Sequence, residues 1–444
     1  MSMKNLHRNK IITKIVDWQE PLDIASKIAD NYFENWFFLY SALHLQNANS
    51  KSYIAIFEKN KFVGEKLSDF EKIFAQNKDN KMWFGGICYE ALSQFDFYQE
   101  SALKKSYINK IPTIFFSNFE LVLEFNHQKR ILKIKTTNLD YYKKILNYKS
   151  VKSVKNPEVK NINSNFTNHS YKNSIINIKK MISEGDFFQA NLTRKFYGQF
   201  NEKPNQIQSF NWFLELMNHS PANYSTFINF DKNFIISSSP ELFLKVQNNK
   251  ILSRPIKGTI ARGINSKQDR ENKKYLKNSH KEIAENLMIV DLMRNDFSRF
   301  CEPKSVKVDK LFKITNYKTI FHLSSQIRGL INKNLNIFDA IRNCFPAGSM
   351  TGAPKIKVVE VLQNLEKMPR GIYSGTLGFF DGYSQMNFSV VIRTLIINND
   401  KFEFQVGGGI TFDSQPQQEL EETFAKATGI LKVLNIAQEK LLNL

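Results

Sequence analysis

The chain has 444 residues, of which 42% are hydrophobic and only 18 are glycine and 12 proline. This composition excludes a fibrous or wholly disordered protein and is sufficient for a large core in one or two domains. The formal net charge of +20 raises a nucleic-acid-binding protein as a remote alternative, but the lysines are spread along the whole chain, which favours a generally basic surface that attracts small anionic substrates.

The N-terminus carries no sign of export. Residues 1–18 mix Lys, Arg, Asn and His with single apolar residues, and no apolar run in the chain approaches the roughly 18 residues of a membrane span. The cysteines Cys88, Cys301 and Cys344 form neither a CxxC pair nor an even-numbered framework. We therefore expect a cytoplasmic protein with reduced thiols.

The first 150 residues alternate strand-like and helical segments. The apolar runs 37–40 and 114–116 predict strands, and residues 21–33 predict a helix. Residues 151–168 are rich in Lys, Asn, Ser and Val without a clear period, which predicts a linker or an exposed excursion. We therefore place a domain boundary in this segment.

The rest of the chain mixes helices and strands. Residues 171–183 predict a helix, and longer helical patterns cover about 280–296 and 415–435. The polar residues 398–400 predict a hairpin turn after the apolar run 388–397. Because the elements do not alternate as regular βαβ units, the pattern predicts an α+β fold with antiparallel sheets.

Each of the two long helices carries an acidic face. Glu282 and Glu285 lie three residues apart on the first helix, and Glu419, Glu422 and Lys426 share a face of the second. The apolar stripes on the other sides are Ile283, Leu287 and Val290, and Leu420, Phe424, Ala427 and Leu431. If both acidic faces point into one cavity, they form an oxygen-only site that suits Mg²⁺; the alternative is that both glutamate pairs are simply solvated.

The glycines 407–409 and three single residues are further candidates for the site, and each also has an interpretation without a role in chemistry. The glycines 407–409 follow a predicted strand and either bind a carboxylate through their amides or form a turn or bulge. Arg393, in an apolar predicted strand, either binds a substrate carboxylate or forms a buried ion pair. Lys257 is a candidate nucleophile or a surface lysine, and Glu241 is an equally ambiguous general acid.

The order of the motifs carries more information than any one of them. Over residues 171–435 the chain resembles the chorismate-utilising enzyme family. The matching segments are GDFFQANL at 185–192, SSPE at 238–241, RPIKGT at 254–259, AENLMIVDL at 284–292, RND at 294–296, FHL at 321–323, TGAPK at 351–355, IRT at 392–394, GGGI at 407–410, DS at 413–414 and ELEET at 419–423.

The resemblance implies a fold of two antiparallel β-sheets packed face to face with flanking helices. It implies an N-terminal region over residues 1–150 similar to that of anthranilate synthase component I, and a chorismate-binding catalytic region over 169–437. In the family, Gln189 in place of lysine points to ammonia rather than water as the nucleophile. Lys257, in Pro-Ile-Lys-Gly-Thr, resembles the aminodeoxychorismate-forming branch, whereas the anthranilate-forming branch usually has alanine there.

The resemblance also implies roles for individual residues. Mg²⁺ would be held by Glu285 and Glu422, with Glu282 and Glu419 in the surrounding shell. Lys257 would attack C2 of chorismate while Glu241 protonates the departing 4-hydroxyl, and ammonia would then enter at C4 and expel the lysine. The implied contacts to substrate are Gln189, Arg393, Tyr373, Gly408, Gly409, Lys426, Thr259 and His322.

A partner is implied as well. The chain ends soon after the helix that carries Glu422, so we expect a separate glutamine amidotransferase subunit to supply ammonia for a reaction in 4-aminobenzoate and folate biosynthesis. The nearest alternative is the anthranilate-forming activity of tryptophan biosynthesis. The segment 37–41 lies where the anthranilate branch holds its tryptophan pocket, but the match is too weak to predict binding.

Overall fold

Alternating aromatic and aliphatic residues make strands the main elements of the chain. The computed structural model describes residues 11–31, 33–43, 50–76, 82–94, 111–148, 154–317 and 320–442. The strands in these ranges are β1 (Ile12–Val16), β2 (Trp36–Tyr40), β3 (Lys51–Gly64), β4 (Met82–Ile87), β5 (Ile114–Asn126), β6 (Ile131–Thr136), β7 (Val159–Ser164), β8 (Gln189–Phe200), β9 (Tyr224–Phe230), β10 (Asn233–Ser239), β11 (Leu242–Gln247), β12 (Lys250–Arg254), β13 (Ile256–Ala261), β14 (Lys307–Asn316), β15 (Ile320–Leu330), β16 (Gly352–Ala353), β17 (Thr376–Asp381), β18 (Gln385–Val390), β19 (Thr394–Asn398) and β20 (Lys401–Ile410).

The helices follow the predicted 3.6-residue patterns. In chain order they are α1 (Pro21–Ala29), α2 (Leu67–Gln76), α3 (Asp140–Leu146), α4 (Asn168–Ser183), α5 (Gln206–His219), α6 (Ser266–Asn278), α7 (His280–Ser298), α8 (Ile337–Cys344), α9 (Lys355–Glu366), α10 (Pro416–Val433) and α11 (Glu439–Leu442). Short 3₁₀ turns lie at Tyr89–Gln94 and Gly348–Met350. Across the described ranges, no helix combines the length and the apolar character needed to cross a bilayer.

The long strands β3 and β5 join two branches of antiparallel sheet. On one side the order runs β5, β3, β2, β9, β10, β19, β20, β8 and β7. On the other side β5 pairs with β4, which leads through β17, β18, β11 and β12 to β15 and β14. The second half of β5 pairs instead with β6, and β6 with β1.

Three large apolar clusters form the core, and one of them lies between the two branches. The first joins β2, β9 and β19 of one branch to β4 and β17 of the other, through residues such as Phe37, Phe84 and Leu377. The outer face of the first branch is covered by α1, α3, α4, α5 and α10, and that of the second by α2, α7 and α8. The predicted α+β fold, with antiparallel sheets face to face and flanking helices, is confirmed.

The sheets run across the predicted domain boundary. Strand β2 pairs with β9, and β4 pairs with β17, so strands from the first 150 residues lie between strands of the later part. Within the predicted linker, β7 pairs along β8. The division into 1–150, 151–168 and 169–437 stays a prediction.

The predicted helices around 280–296 and 415–435 are present as α7 and α10, but one residue of the predicted stripe on α7 is wrong. Leu287 is 43% exposed, whereas Val290 is buried as predicted, together with Ile289 and Met293. The polar residues Glu285 and Asn286 take the inward positions because both face buried polar partners rather than the apolar core. In α10 the predicted stripe of Leu420, Phe424, Ala427 and Leu431 is buried.

A buried ion pair ties the site-forming segments together. Arg370 donates to both carboxylate oxygens of Glu366, at 2.9 and 2.7 Å, and both residues are almost fully buried. The same guanidinium donates to the carbonyl oxygens of Met350 and Asn191, and Glu366 accepts from the amide of Thr193. This pair therefore fixes β8 and the 348–350 turn relative to α9.

We expect Glu366→Ala to destabilise the fold severely, because Arg370 would be left buried without its carboxylate. Removing one partner of such a pair costs about 3–5 kcal/mol. Urea unfolding followed by fluorescence measures the change in the free energy of unfolding. Glu360→Ala, on an exposed position of the same helix, should stay within about 0.5 kcal/mol of the parent protein. Equal losses in the two variants would contradict this assignment.

Candidate active site

Helix α7 places two glutamates against strand β13, where Oε2 of Glu282 approaches Gly258 and Oε2 of Glu285 lies 3.8 Å from Nζ of Lys257. The Ser279 hydroxyl caps the helix by accepting from the Glu282 amide, and Glu285 lies one turn further on. Burial raises the pKa of both glutamates, and the charge of Glu285 raises the pKa of Glu282 further. The nearby Lys257 opposes this rise at Glu285.

Helix α10 brings the second acidic pair to the same region. Lys281 of α7 contacts Glu419 of α10 with 3.1 Å between Nζ and Oε1, and Ser414 donates to the same oxygen at 2.7 Å. Burial favours a raised pKa for Glu422, but Lys426, 2.5 Å away, together with Lys281 and Lys257 outweighs burial and lowers that pKa. Lys281 therefore links α7 to α10, and the charges of Glu419 and Glu422 act on Glu285. That the two acidic faces form one magnesium site stays a prediction.

Lys257 and Gln189 meet at one carboxylate oxygen. Lys257, in β13, has its Nζ 3.8 Å from Oε2 of Glu285, and its side chain is 12% exposed. The amide nitrogen of Gln189, the first residue of β8, donates to the same oxygen at 3.4 Å. Oε1 of Gln189 is buried and has no hydrogen-bond partner among the described residues. The lysine is therefore enclosed beside the acidic faces, not on the open surface.

The three glycines form part of a regular strand, so the predicted turn and bulge are wrong, whereas carboxylate binding through their amides stays a prediction. Gly407, Gly408 and Gly409 in β20 pair in unbroken register with β8. A methyl group on Gly408 would lie 2.9 Å from Oε2 of Glu419, and one on Gly409 would lie 2.0 Å from Nε2 of Gln189. Glycine is needed here because side chains from neighbouring elements approach the strand closely.

Glu241 lies beside Lys257 and receives two hydrogen bonds. The Ser349 hydroxyl donates to Oε1 of Glu241 at 2.6 Å, and the backbone amide of Ile256 donates to the same carboxyl group. Burial raises the pKa of Glu241 to about 7, while Ser349 and the charge of Lys257 limit the rise. Glu241 can therefore be protonated near neutral pH, as a general acid must be.

Arg393 lies at a break between two strands, not in the continuous strand that the apolar run 388–397 predicts. Its backbone has a φ of 50°, and β18 ends before it while β19 begins after it. No carboxylate pairs with its guanidinium within the described ranges, and burial lowers its pKa. The alternative of a buried ion pair is not observed there.

His322 shares a small cavity with Arg393. The cavity, of about 20 Å³, is also lined by Pro240 and Tyr317. Burial, reinforced by the charge of Arg393, lowers the pKa of His322 to about 3, so its ring is neutral at physiological pH. Neither ring nitrogen has a partner among the described residues, and Thr259 pairs opposite His322 in the sheet.

Tyr373 and Lys426 are the other residues predicted to contact the substrate. Tyr373 is buried in the core of the second branch, and burial raises its pKa, an effect that the charge of Arg370 opposes. Lys426 donates to the carbonyl oxygen of Gly407 at 2.7 Å, which fixes α10 against the glycine strand. Sequence reasoning missed Lys281 and Ser349, because their hydrogen-bond partners Glu419 and Glu241 lie more than 100 residues away in the chain.

The match to known families covers this whole arrangement. Residues 34–432 match the family described as chorismate binding enzyme. The chain belongs to this family. The resemblance inferred from the motifs at residues 171–435 is therefore confirmed, and the family match begins much further towards the N-terminus.

Relatives of the chain carry the names of different enzymes. The chain is 38% identical over 271 residues to aminodeoxychorismate synthase component 1 of Escherichia coli, covering 61% of this chain and 59% of that protein. It is 34% identical over 285 residues to anthranilate synthase component 1 of Aquifex aeolicus, covering 64% of this chain and 57% of that one. The matched segment thus spans little more than half the length of these relatives.

Solved structures support the fold. The menaquinone-specific isochorismate synthase of Escherichia coli superimposes with a TM-score of 0.75 at 16% identity, covering 97% of this chain and 94% of that one. At this level of identity the likeness concerns the fold alone. It agrees with the family's two-sheet architecture.

We expect Gly409→Ala to reduce chorismate consumption at least about tenfold, because the new methyl group would displace the Gln189 amide that contacts Glu285. The rate is measured with Mg²⁺ and an ammonium salt, and the melting temperature reports folding. Gly429→Ala is the matched control, since its methyl group would meet its nearest neighbour, Cβ of Ser220, at 3.3 Å, two helical turns beyond Glu422. Full activity of Gly409→Ala would show that the strand does not line the reaction space.

Proposed function

We propose that the chain is the chorismate-binding subunit of an aminodeoxychorismate synthase, which replaces the 4-hydroxyl of chorismate with an amino group. The observation that carries the proposal is the enclosed amine of Lys257, 3.8 Å from Glu285, with Glu241 adjacent and largely buried. A primary amine beside an acid of raised pKa supplies a nucleophile and a proton donor to one substrate.

We propose Mg²⁺ as the cofactor, held by Glu285 and Glu422 with Glu282 and Glu419 around them. The donors are all carboxylates, which suits a hard cation. In the described ranges, His, Cys, Asp and Glu side chains do not form a cluster of three that could hold a metal. Mg²⁺ commonly takes one or two carboxylates and keeps water or ligand oxygens, so Glu285 and Glu422 alone would be its protein ligands. When bound, it would hold a substrate carboxylate and screen charge that develops in the reaction.

In the proposed reaction, Lys257, which pairs with Glu285 at rest, reacts as the free amine and forms a bond to C2 of chorismate. The ring double bonds shift, the C4–O bond breaks, and the hydroxyl leaves as water with the proton of Glu241. Ammonia then forms a bond at C4, the double bonds shift back, and the bond between C2 and Lys257 breaks. When Lys257 adds, its nitrogen gives a proton to the Glu241 carboxylate, and it takes that proton back when it leaves. The nitrogen that entered as ammonia then gives one proton to Glu241, which ends the cycle protonated.

Substrate orientation is assigned to the groups around this space. We propose that Arg393 and Tyr373 hold the enolpyruvyl carboxylate, and that the amides of Gly408 and Gly409 and the ammonium of Lys426 lie near carboxylate oxygens. Thr259 and neutral His322 supply further hydrogen bonds. The absence of a carboxylate partner for Arg393 within the described ranges supports its assignment to an anionic ligand, because an unpaired buried guanidinium is unfavourable.

The proposed source of ammonia is a separate glutamine amidotransferase subunit. The relatives in Escherichia coli and Aquifex aeolicus are named as component 1 of their enzymes, which agrees with a second component. Gln189 supports ammonia over water as the nucleophile, because an amide at this position provides no base to activate water.

The second candidate is an anthranilate synthase component, and the identity to relatives of that name supports it. The same acidic faces would serve that reaction. It adds ammonia at C2 and releases pyruvate, so it needs no nucleophilic lysine. The presence of Lys257 inside the space therefore favours amination at C4.

We expect the purified chain, incubated with chorismate, Mg²⁺ and an ammonium salt, to consume chorismate without forming anthranilate or pyruvate. Addition of an aminodeoxychorismate lyase should then yield 4-aminobenzoate and pyruvate in equal amounts. Chromatography with fluorescence detection follows both aromatic products. Anthranilate accompanied by pyruvate in the absence of the lyase would refute the proposed product.

Lys257→Ala should lower the rate of amination at C4 by about 100-fold or more, because the variant lacks the nucleophile. Single-turnover kinetics with excess enzyme measures this rate, and intact-protein mass spectrometry of the parent protein tests for the covalent intermediate. Lys310→Ala, on an exposed position of β14, is the control and should retain full activity. Unchanged turnover in Lys257→Ala would remove the lysine from the mechanism.

A further inference from the structure

The hydroxyl of Ser349 is the side-chain donor to the carboxylate of Glu241. The two residues lie 108 positions apart in sequence, yet Ser349 Oγ is 2.6 Å from Oε1 of Glu241, and both are buried. The backbone of Glu241 is fixed independently, since its carbonyl oxygen accepts from the amide of Val390 at 3.1 Å. The serine therefore contacts the one part of Glu241 that can take part in chemistry.

Three hydrogen bonds fix the turn that carries Ser349, two of them to other parts of the chain. Arg370 donates to the carbonyl oxygen of Met350 at 2.7 Å, and the amide of Asn191 in β8 donates to the carbonyl oxygen of Thr351 at 2.7 Å. The Thr351 hydroxyl donates back to the carbonyl oxygen of Ala347 at 3.2 Å. These bonds fix the serine hydroxyl on a rigid support, as positioning by a single hydrogen bond requires.

We propose that Ser349 is the positioning residue of Glu241: it aims the carboxyl group at the departing hydroxyl and stabilises the carboxylate that remains after the proton has left. This inference rests on the proposed function, in which Glu241 is the general acid. A hydroxyl can donate to the carboxylate and accept from the protonated carboxyl group, so Ser349 serves Glu241 in both states.

Other groups around Glu241 also favour its ionised form or line the cavity next to it. Lys257 faces it from β13 and favours the carboxylate, as does the amide of Ile256. On the far side, Arg393 and His322 line the small cavity next to Pro240. Loss of the Ser349 hydroxyl therefore leaves burial opposed by one lysine and one amide, which raises the pKa of Glu241 further above its ordinary value.

The direction of the pH effect follows from this shift. Glu241 must be protonated to act as an acid, so the rate falls as pH rises through its pKa, near 7 in the parent protein. Ser349→Ala should move this alkaline limb to higher pH by about 1 unit and lower the plateau rate by about 10- to 100-fold, because a charge-assisted hydrogen bond is lost. Ser349→Thr retains a hydroxyl and should restore the limb and most of the rate.

The experiment measures single-turnover amination of chorismate with ammonium from pH 5.5 to pH 9 for the parent protein and both variants. An infrared titration of the carboxyl C=O band, assigned by its loss in Glu241→Gln, measures the protonation of Glu241 without turnover. An upward shift in both measurements for Ser349→Ala, with rescue in Ser349→Thr, supports the proposal.

Two outcomes overturn it. One is an infrared midpoint that is the same in the parent protein and Ser349→Ala, which would show that the serine does not act on Glu241. The other is a lowered rate with an unmoved alkaline limb in a variant that keeps its melting temperature. Failure of the proposed function is distinguishable, because the parent protein would then form no aminodeoxychorismate while the infrared comparison still reports on the two residues.

Discussion

The balance of charge between α7 and α10 is the constraint on which the candidate site depends. Two helices that start from different parts of the chain turn four glutamates towards one space, and like charges in a partly buried space repel strongly. Lysines offset the repulsion: Lys281 pairs with Glu419, Lys426 with Glu422, and Lys257 with Glu285. These cations reduce the repulsion between the two acidic faces.

The sheets supply the rigidity that this arrangement needs. Helix α10 packs on β20 of one branch and α7 packs on β13 and β15 of the other, so the position of each helix is set by the strands beneath it. The Arg370–Glu366 pair then fixes β8 and the 348–350 turn, which carry Gln189 and Ser349. Rigid elements hold reacting groups more accurately than loops do. The site is thus supported from both sheets.

Local periodicity was sufficient to predict the helices and the fold class, but not the contacts between distant segments. The bounds of α10 and its buried stripe follow from its 3.6-residue pattern, whereas Leu287 was misplaced because buried polar partners decide which face of α7 turns inward. The strand break at Arg393 lies inside an apolar run with no glycine or proline to mark it. Ser349 and Lys281 acquire their importance only through partners more than 100 residues away.

Strands from the N-terminal part of the chain pair with strands from its C-terminal part, and this limits how the chain can be truncated. Strand β2 lies between β3 and β9, and β4 lies between β5 and β17. A fragment that began after residue 168 would expose the hydrogen-bonding edges of β9 and β17 together with the aromatic layer beneath them. We expect such a fragment to aggregate rather than fold, so N-terminal truncation does not yield a smaller folded version of this enzyme.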